Sequence, residues 1–281
     1  MKTIFIETSA LVDYAIKSRG KGDIARILSE YDTKVSSNYV RMELLRGVIQ
    51  YLTYLHNKIA NCSTWSDVQN AISNLSSTPQ RHRLGAVLEA MTEFWGSIQD
   101  KAIEEIAEES PATTLGDYVK KRSMPFIWLQ IRRLWRTFDK IVEESSNPMD
   151  CYVDLREPTR NNNGLVDNSS NNCGKSETEC QIRQFFEENK AQFESVYNCL
   201  KDLPEAEVDQ KHRNSLKEIL RLLPYKNRKI SNREDKMKKH CWNCGDSILS
   251  VLAPKDATIL HHNAKHYEPI CRAINRESKT Y

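Results

Sequence analysis

The chain opens with a short apolar run that changes abruptly into polar residues. Thr3-Ile4-Phe5-Ile6 has the pattern of a buried strand, and Glu7-Thr8-Ser9 follows it directly. An apolar-rich stretch then continues to about Ile16, and Thr8 or Ser9 is a natural N-cap for a helix there. The pattern predicts a strand and then a helix, with the Glu7 carboxylate at the C-terminal end of the strand. Open α/β sheets bind their ligands at this edge.

Two further segments place an acid beside apolar residues. In Ser36-Ser37-Asn38-Tyr39-Val40-Arg41-Met42-Glu43, either serine can cap a helix that carries Glu43 inward. Asp246 lies in the first turn of an apolar helix that Pro254 closes, and the helix dipole favours an acid at that end. A strand is predicted near 257–260, followed by a polar cluster and by another helix from about His266.

Between these segments the apolar positions follow the 3.6-residue period of amphipathic helices. Helices are predicted over 84–109, 126–142, 178–201 and 205–223. The segment 145–177 is rich in Asn and Ser and is predicted to be a long polar loop. The chain therefore combines an α/β part, formed by its two ends, with a large helical insertion.

Basic and acidic residues nearly balance over the whole chain, but basic residues are concentrated in two segments. The sequence has 41 basic and 38 acidic residues, a net charge of +3. Basic residues concentrate in 221–239 and in 131–136, where Trp135 stands among arginines. Such stretches can hold phosphate backbones and stack bases. A solvated connector and an ordinary amphipathic helix are the simpler interpretations.

The expected compartment is the cytoplasm. No basic-then-apolar signal segment is visible, and no apolar run approaches the roughly 18 residues that span a bilayer. The eight cysteines are expected to be mainly reduced thiols in that setting.

The chain resembles the PIN-domain family of nucleases. The resemblance is carried, in order, by TIFIETSALVDY, SSNYVRMELLRG, and CGDSILSVLAP with TILHHNAKHYEPICRAI. It implies a small doubly wound parallel sheet that binds Mg²⁺ or Mn²⁺ and cuts RNA or, less often, DNA. A split PIN-like domain over 1–60 and 225–281 follows, with an all-α insertion over 61–224.

The resemblance also implies the site residues. The metal-binding acids fall on Glu7, Glu43 and Asp246, and the last acid of the family falls on Asn263, which lacks its charge. Glu7 is one methylene longer than the usual Asp. Residues expected to support the metal or contact the substrate are Thr8, Ser9, Arg228, Lys229 and His266.

Electrostatics supports a cation at such a site, since hard cations bind oxygen ligands and uncompensated carboxylates repel one another. The expected function is a metal-dependent endoribonuclease acting on RNA or single-stranded DNA. It is expected to be a toxin or defence effector that a protein partner inhibits or activates, and homo-oligomers are common in the family.

Two alternatives remain open at this stage. Glu7 and Asn263 in place of the usual aspartates fit a weak or inactive PIN-like module that binds RNA or protein. Cys241 and Cys244, with His261, His262 and His266, have spacings close to a two-Cys, two-His zinc site. That spacing fits a zinc-stabilised nucleic-acid adaptor.

Overall fold

One parallel sheet organises the part of the chain that the computed structural model describes, residues 1–16, 21–76, 85, 87–98, 115–149, 155–167, 181–223 and 241–281. The strands are β1 (Thr3–Ile6), β2 (Thr33–Ser37), β3 (Glu144–Ser146), β4 (Ala257–His261) and β5 (Ser278–Thr280). Their order across the sheet is β3-β2-β1-β4-β5, and every neighbouring pair is parallel. The protein therefore has an α/β fold.

Helices make up most of the remaining described chain. They are α1 (Thr8–Ile16), α2 (Lys21–Ser29), α3 (Asn38–Leu44), α4 (Gln50–Asn61), α5 (Trp65–Ser76), α6 (Leu115–Ile141), α7 (Ile182–Glu188), α8 (Lys190–Lys201), α9 (Gln210–Leu222), α10 (Gly245–Leu252) and α11 (Ala264–Ala273). Residues 87–98 are helical as well, and Glu205–Glu207 form a short 3₁₀ turn. None of the described helices combines the length and the apolar character needed to cross a membrane.

The helix predictions hold with shifted ends. The helix predicted over 126–142 begins earlier, at Leu115, and contains Pro125. The segment 178–201 forms two helices that meet at Asn189, and the helix of 205–223 begins only at Gln210. Residues 99–109 of the predicted 84–109 helix lie outside the described residues.

The first apolar run of the sequence forms β1, the central strand of the sheet. Ile4, Phe5 and Ile6 are at most 1% exposed, and every residue of β4 is buried. A strand with neighbours on both sides and helices on both faces needs continuous apolar residues. The chain adds β2 and β3 on one side of β1, and then β4 and β5 on the other side. This arrangement opens a crevice at the carboxyl ends of β1 and β4.

The segment between the two ends of the chain also contributes to the sheet. β3 pairs with β2 through Val35 opposite Glu144 and Ser37 opposite Ser146. The sequence pattern did not predict this strand, because three exposed polar residues carry no apolar alternation. α6 packs against α1 and α4. Of the predicted polar loop over 145–177, residues 150–154 and 168–177 lie outside the described residues.

Candidate metal-binding active site

A cleft of about 530 Å³ lies at the carboxyl edge of the sheet and contains the three predicted acids. Glu7 follows β1, Glu43 lies in the last turn of α3, and Asp246 lies in the first turn of α10. The fold thus brings together residues more than 200 positions apart. The other residues that line the cleft are Thr8, Ser9, Val12, Asp13, Gly47, Val48, Gly85, Glu89, Lys211, Trp242, Gly245 and His262.

Glu7 is buried and also caps α1, a role that the sequence predicts for Thr8 or Ser9. Its Oε2 accepts a hydrogen bond of 2.9 Å from the Ser9 N–H, and its Oε1 accepts one from the Ser9 hydroxyl. The Glu7 carbonyl accepts from the Leu11 N–H. Glu7 therefore caps α1, which corrects the prediction that Thr8 or Ser9 does so. Burial raises the pKa of Glu7 to about 8, and the charges of Asp246 and Glu43 add to the rise.

The Glu43 carboxylate is held between α1 and α10. The Thr8 hydroxyl donates a hydrogen bond of 2.5 Å to Glu43 Oε2. Glu43 Oε1 lies only 2.7 Å from the point that a Cβ on Gly245 would occupy. Only a residue without a side chain leaves room for the carboxylate at this point of α10. Ser37 caps α3 by accepting from the Val40 N–H, as the sequence predicted for one of the two serines.

After α3 the helix widens into a π-helical turn, Leu45–Ile49, in which Gly47 departs from helical backbone angles. Extra turns of this kind are frequent at functional sites. Gly47 and Val48 line the cleft, so the widened turn forms part of its wall.

Asp246 is paired with a cation from the middle of the chain. Lys211 Nζ lies 2.5 Å from Asp246 Oδ2, and His266 Nδ1 lies 3.4 Å from the same oxygen. Burial by itself raises the pKa of Asp246, but the attraction of Lys211 and His266 outweighs it and holds the pKa below the usual range. Burial lowers the pKa of Lys211. The attraction of its ammonium group to Asp246, Glu43 and Glu7 has the larger, opposite effect, so the pKa lies above its usual value.

The described lining of the cleft carries more negative than positive charge. Among the described residues that line the cleft, Lys211 is the one lysine or arginine. Five carboxylates lie around the same cleft. They belong to Glu7, Asp13, Glu43, Glu89 and Asp246. Oxygen ligands and unbalanced negative charge are the chemistry that a hard divalent cation requires. The donor set therefore fits Mg²⁺ or Mn²⁺.

The three acids nevertheless do not form the tightest group of potential ligands. Among the described residues, one set of three metal-ligand side chains has its ligand atoms all within 4.8 Å of one another: Asp209, His212 and His266. Glu7, Glu43 and Asp246 surround the cleft at wider spacing. Mutual repulsion and the pull of Lys211 on Asp246 both favour such spreading.

Asn263 and His266 lie beside the cleft and not in its lining. Asn263 is the N-cap of α11, and its side chain accepts from the His266 N–H at 3.4 Å. His266 Nε2 lies 2.6 Å from Asp209 Oδ2. The Asn263 amide is thus engaged in capping, while His266 connects to the cleft through Asp246. Arg228 and Lys229 lie outside the described residues.

The cysteine–histidine set does not form a metal-ligand group within the described residues. The one group found there contains neither Cys241 nor Cys244. Burial raises the pKa of the Cys244 thiol well above its usual value, which disfavours the thiolate that binds zinc. The His261 ring is buried and stacks on Tyr267 at a centroid distance of 4.7 Å.

Sequence reasoning missed several residues of this region. Asp13 lies in α1 and accepts a hydrogen bond of 3.1 Å from the Tyr281 hydroxyl. Nothing in the local pattern separates Lys211 from other surface lysines. Asp209 and His212 do have a signal, because an acid and a histidine three positions apart share one helical face, the spacing of Glu-x-x-His metal motifs.

Comparison with known proteins finds no matching family model, no matching curated protein and no matching solved structure. Membership of the PIN-domain family stays a prediction from the sequence motifs.

Proposed function

We propose that the protein is a divalent-metal-dependent nuclease that hydrolyses phosphodiester bonds of RNA, with Glu7, Glu43 and Asp246 as the metal-binding acids. The observation that carries the proposal is their position around one cleft at the carboxyl edge of a parallel sheet. Ligand sites of open α/β sheets occupy this place, at the point where strand order reverses.

A bound Mg²⁺ or Mn²⁺ would polarise the scissile phosphate and make a water molecule more acidic. The chain's own residues prepare the cleft for that chemistry. Ser9 and Thr8 fix the carboxylates of Glu7 and Glu43. Lys211 adds a positive charge at the cleft wall, and its side chain is 47% exposed, which leaves it accessible to a phosphate oxygen.

A basic groove beside the cleft supports nucleic acid as the substrate. The groove has a volume of about 390 Å³ and is lined by the cations Lys21, Arg132, Arg133, Arg136 and Lys140, with Tyr14, Leu129 and Thr137. α1 connects the two sites, since Val12 and Asp13 line the cleft and Tyr14 lines the groove. Trp135 is only 6% exposed, so phosphate contacts rather than stacking on this ring would hold the strand.

The proposal is tested by incubating the protein with end-labelled RNA and single-stranded DNA in Mg²⁺ or Mn²⁺. We expect cleavage of RNA that chelator abolishes. Glu43→Gln and Asp246→Asn should lower the rate at least about 100-fold, the scale on which lost electrostatic stabilisation acts. The half-exposed acid Glu194 on α8 provides the matched control, and Glu194→Gln should cleave at the wild-type rate.

Two outcomes would contradict the proposal. Wild-type protein without activity on any RNA or DNA would exclude a nuclease, and activity that survives in Glu43→Gln would place the chemistry elsewhere.

A specific observation favours a second candidate, a PIN-like module that binds RNA without cutting it. Lys211 already supplies the cation that the crowded carboxylates need, and the Asn263 side chain caps a helix. In that case the wild type would bind RNA but not cleave it. Its affinity would not change when divalent metal is removed.

A further inference from the structure

Asp209, His212 and His266 form a compact cluster between two parts of the chain. Asp209 caps α9 and His212 lies in its first turn, while His266 lies in the first turn of α11, 57 positions after Asp209. One ligand atom from each side chain lies within 4.8 Å of the other two. Both histidines are buried, with exposures of 2% and 8%, and their rings meet edge to face at 4.9 Å.

Helix capping explains only part of this arrangement. Asp209 Oδ1 accepts from the Lys211 and His212 N–H groups at 2.9 and 3.0 Å, which satisfies the end of α9. Asp209 Oδ2 is directed instead to His266 Nε2, at 2.6 Å. The capping contact of His212, from the Asp209 N–H to Nδ1, is long at 3.4 Å. One carboxylate oxygen is thus not needed for capping and faces His266 instead.

The His212 ring has an unmet polar requirement. Its Nε2 is buried and has no hydrogen-bond partner among the described residues. Buried polar atoms without partners are rare and call for an explanation. A metal coordinated through Nε2 would supply the partner that this atom lacks.

His266 has the surroundings of a metal ligand on its opposite side. While Nε2 faces Asp209, Nδ1 lies 2.8 Å from Asn263 Nδ2, an amide donor, and 3.4 Å from Asp246 Oδ2. Histidines that bind metals usually hold their second ring nitrogen against a carboxylate or another acceptor, which fixes the ring. Asn263 and Asp246 together fix the His266 ring from this side.

We propose that Asp209, His212 and His266 bind a transition-metal ion of the Zn²⁺ class, with a further position open to water. Two imidazoles and one carboxylate suit Zn²⁺ and its neighbours better than Mg²⁺, which prefers oxygen ligands alone. The ion would fasten α9 to α11 and hold Lys211 at the cleft. This inference does not depend on nuclease activity, because its ligands are distinct from Glu7, Glu43 and Asp246.

The test uses the full chain, stripped of metal by chelator and titrated with Co²⁺ as a spectroscopic probe. We expect one equivalent to produce the visible absorption of four- or five-coordinate Co²⁺, without a thiolate charge-transfer band, and Zn²⁺ to displace it. His212→Ala should weaken binding by at least about 100-fold, since it removes one of three ligands. Glu194→Gln on α8, away from both sites, should bind Co²⁺ like the wild type.

A second variant keeps the test decisive if His212→Ala fails to fold. Asp209→Asn preserves Oδ1, which caps α9, and removes the negative charge. Zn²⁺ should raise the thermal midpoint of the wild type but not that of Asp209→Asn. The inference is overturned if the wild type gives no Co²⁺ spectrum, if its spectrum contains a thiolate band, or if Glu43→Gln abolishes binding while His212→Ala retains it.

Discussion

At the scale of single residues, the cleft depends on contacts with little room for change. Glu7 is fixed by Ser9, Glu43 by Thr8, and Asp246 by Lys211. Ser9 and Thr8 therefore order two of the acids before any cation binds, whereas Lys211 pairs with Asp246 through a charge that a bound cation would replace. Such preorganisation is what a metal site requires of its supporting residues.

Gly245→Ala tests the fit between α10 and Glu43. A Cβ at this position would come within 2.7 Å of Glu43 Oε1, so the carboxylate must move. The free energy of unfolding should change by less than about 1 kcal/mol, because alanine favours the helix by a similar amount. Mn²⁺ affinity, measured by proton relaxation, should fall about tenfold, since 1–2 kcal/mol of ligand geometry is lost.

Gly22→Ala is the matched control, because a Cβ there meets nothing within 4 Å. Equal Mn²⁺ affinity in Gly245→Ala and Gly22→Ala would show that Glu43 is not a ligand.

His261 makes the stability of the protein depend on pH. Burial lowers the pKa of this histidine to about 4, whereas an unfolded chain binds the proton near pH 6.5. Between these values the unfolded state binds more protons, so stability is complete above pH 6.5 and is lost as the pH falls toward 4. His261→Phe keeps an aromatic ring beside Tyr267 and removes the titration.

Urea unfolding of wild type and His261→Phe should therefore give free energies that diverge with acidity. We expect the variant to gain about 2 kcal/mol over the wild type between pH 7 and pH 5. A difference between the two proteins that stays constant over this range would contradict the assignment.

At the scale of elements, α9 connects the predicted insertion to the site. It carries Lys211 into the cleft and carries His212 to α11 from a segment that the sequence assigned to an insertion. The insertion therefore contributes directly to the electrostatics of the acids. The first turn of α9 supplies Lys211, whose positive charge lowers the repulsion between the carboxylates of the cleft.

Lys211→Met should strengthen the binding of Mn²⁺. Without the ammonium group, Asp246 has one competitor fewer, and an affinity gain of about tenfold corresponds to roughly 1.4 kcal/mol. The exposed Lys217 on the same helix gives the control, and Lys217→Met should bind like the wild type. Affinity that falls in Lys211→Met would mean that Lys211 supports the site instead of competing with the ion.

The elements themselves were largely readable from the sequence. β1 and β4 were predicted because continuous apolar runs are typical of buried parallel strands, and α10 because Pro254 ends an apolar stretch. β3 was missed because its three residues are polar, and its place is determined by pairing with β2. The acids of the cleft followed from family motifs. Lys211 and His212 did not, since helix packing alone decides which surface residues meet.

At the scale of the whole molecule, the acidic cleft and the basic groove share α1. This places a cluster of cationic side chains next to a cluster of carboxylates without a large net charge on the chain, which is +3. Within the groove, Arg132 and Arg136 pair with Glu157 at 3.6 and 3.1 Å. Arg133 and Lys140 are exposed cations on the same helix.

Reversing the charge of Arg133 and Lys140 together, to Glu, should weaken RNA binding at least about tenfold. It should also reduce the dependence of affinity on salt, because fewer counterions are released. The loss should be similar for different RNA sequences. The control is Lys190→Glu with Lys201→Glu on α8, and an equal loss there would show that only net charge matters.

The most direct measurement of the central claim is anomalous diffraction at the manganese edge from crystals grown with Mn²⁺. We expect a peak in the cleft, within coordination distance of the carboxylates of Glu7, Glu43 and Asp246. An occupied ion elsewhere on the protein, with no peak among these three side chains, would contradict it.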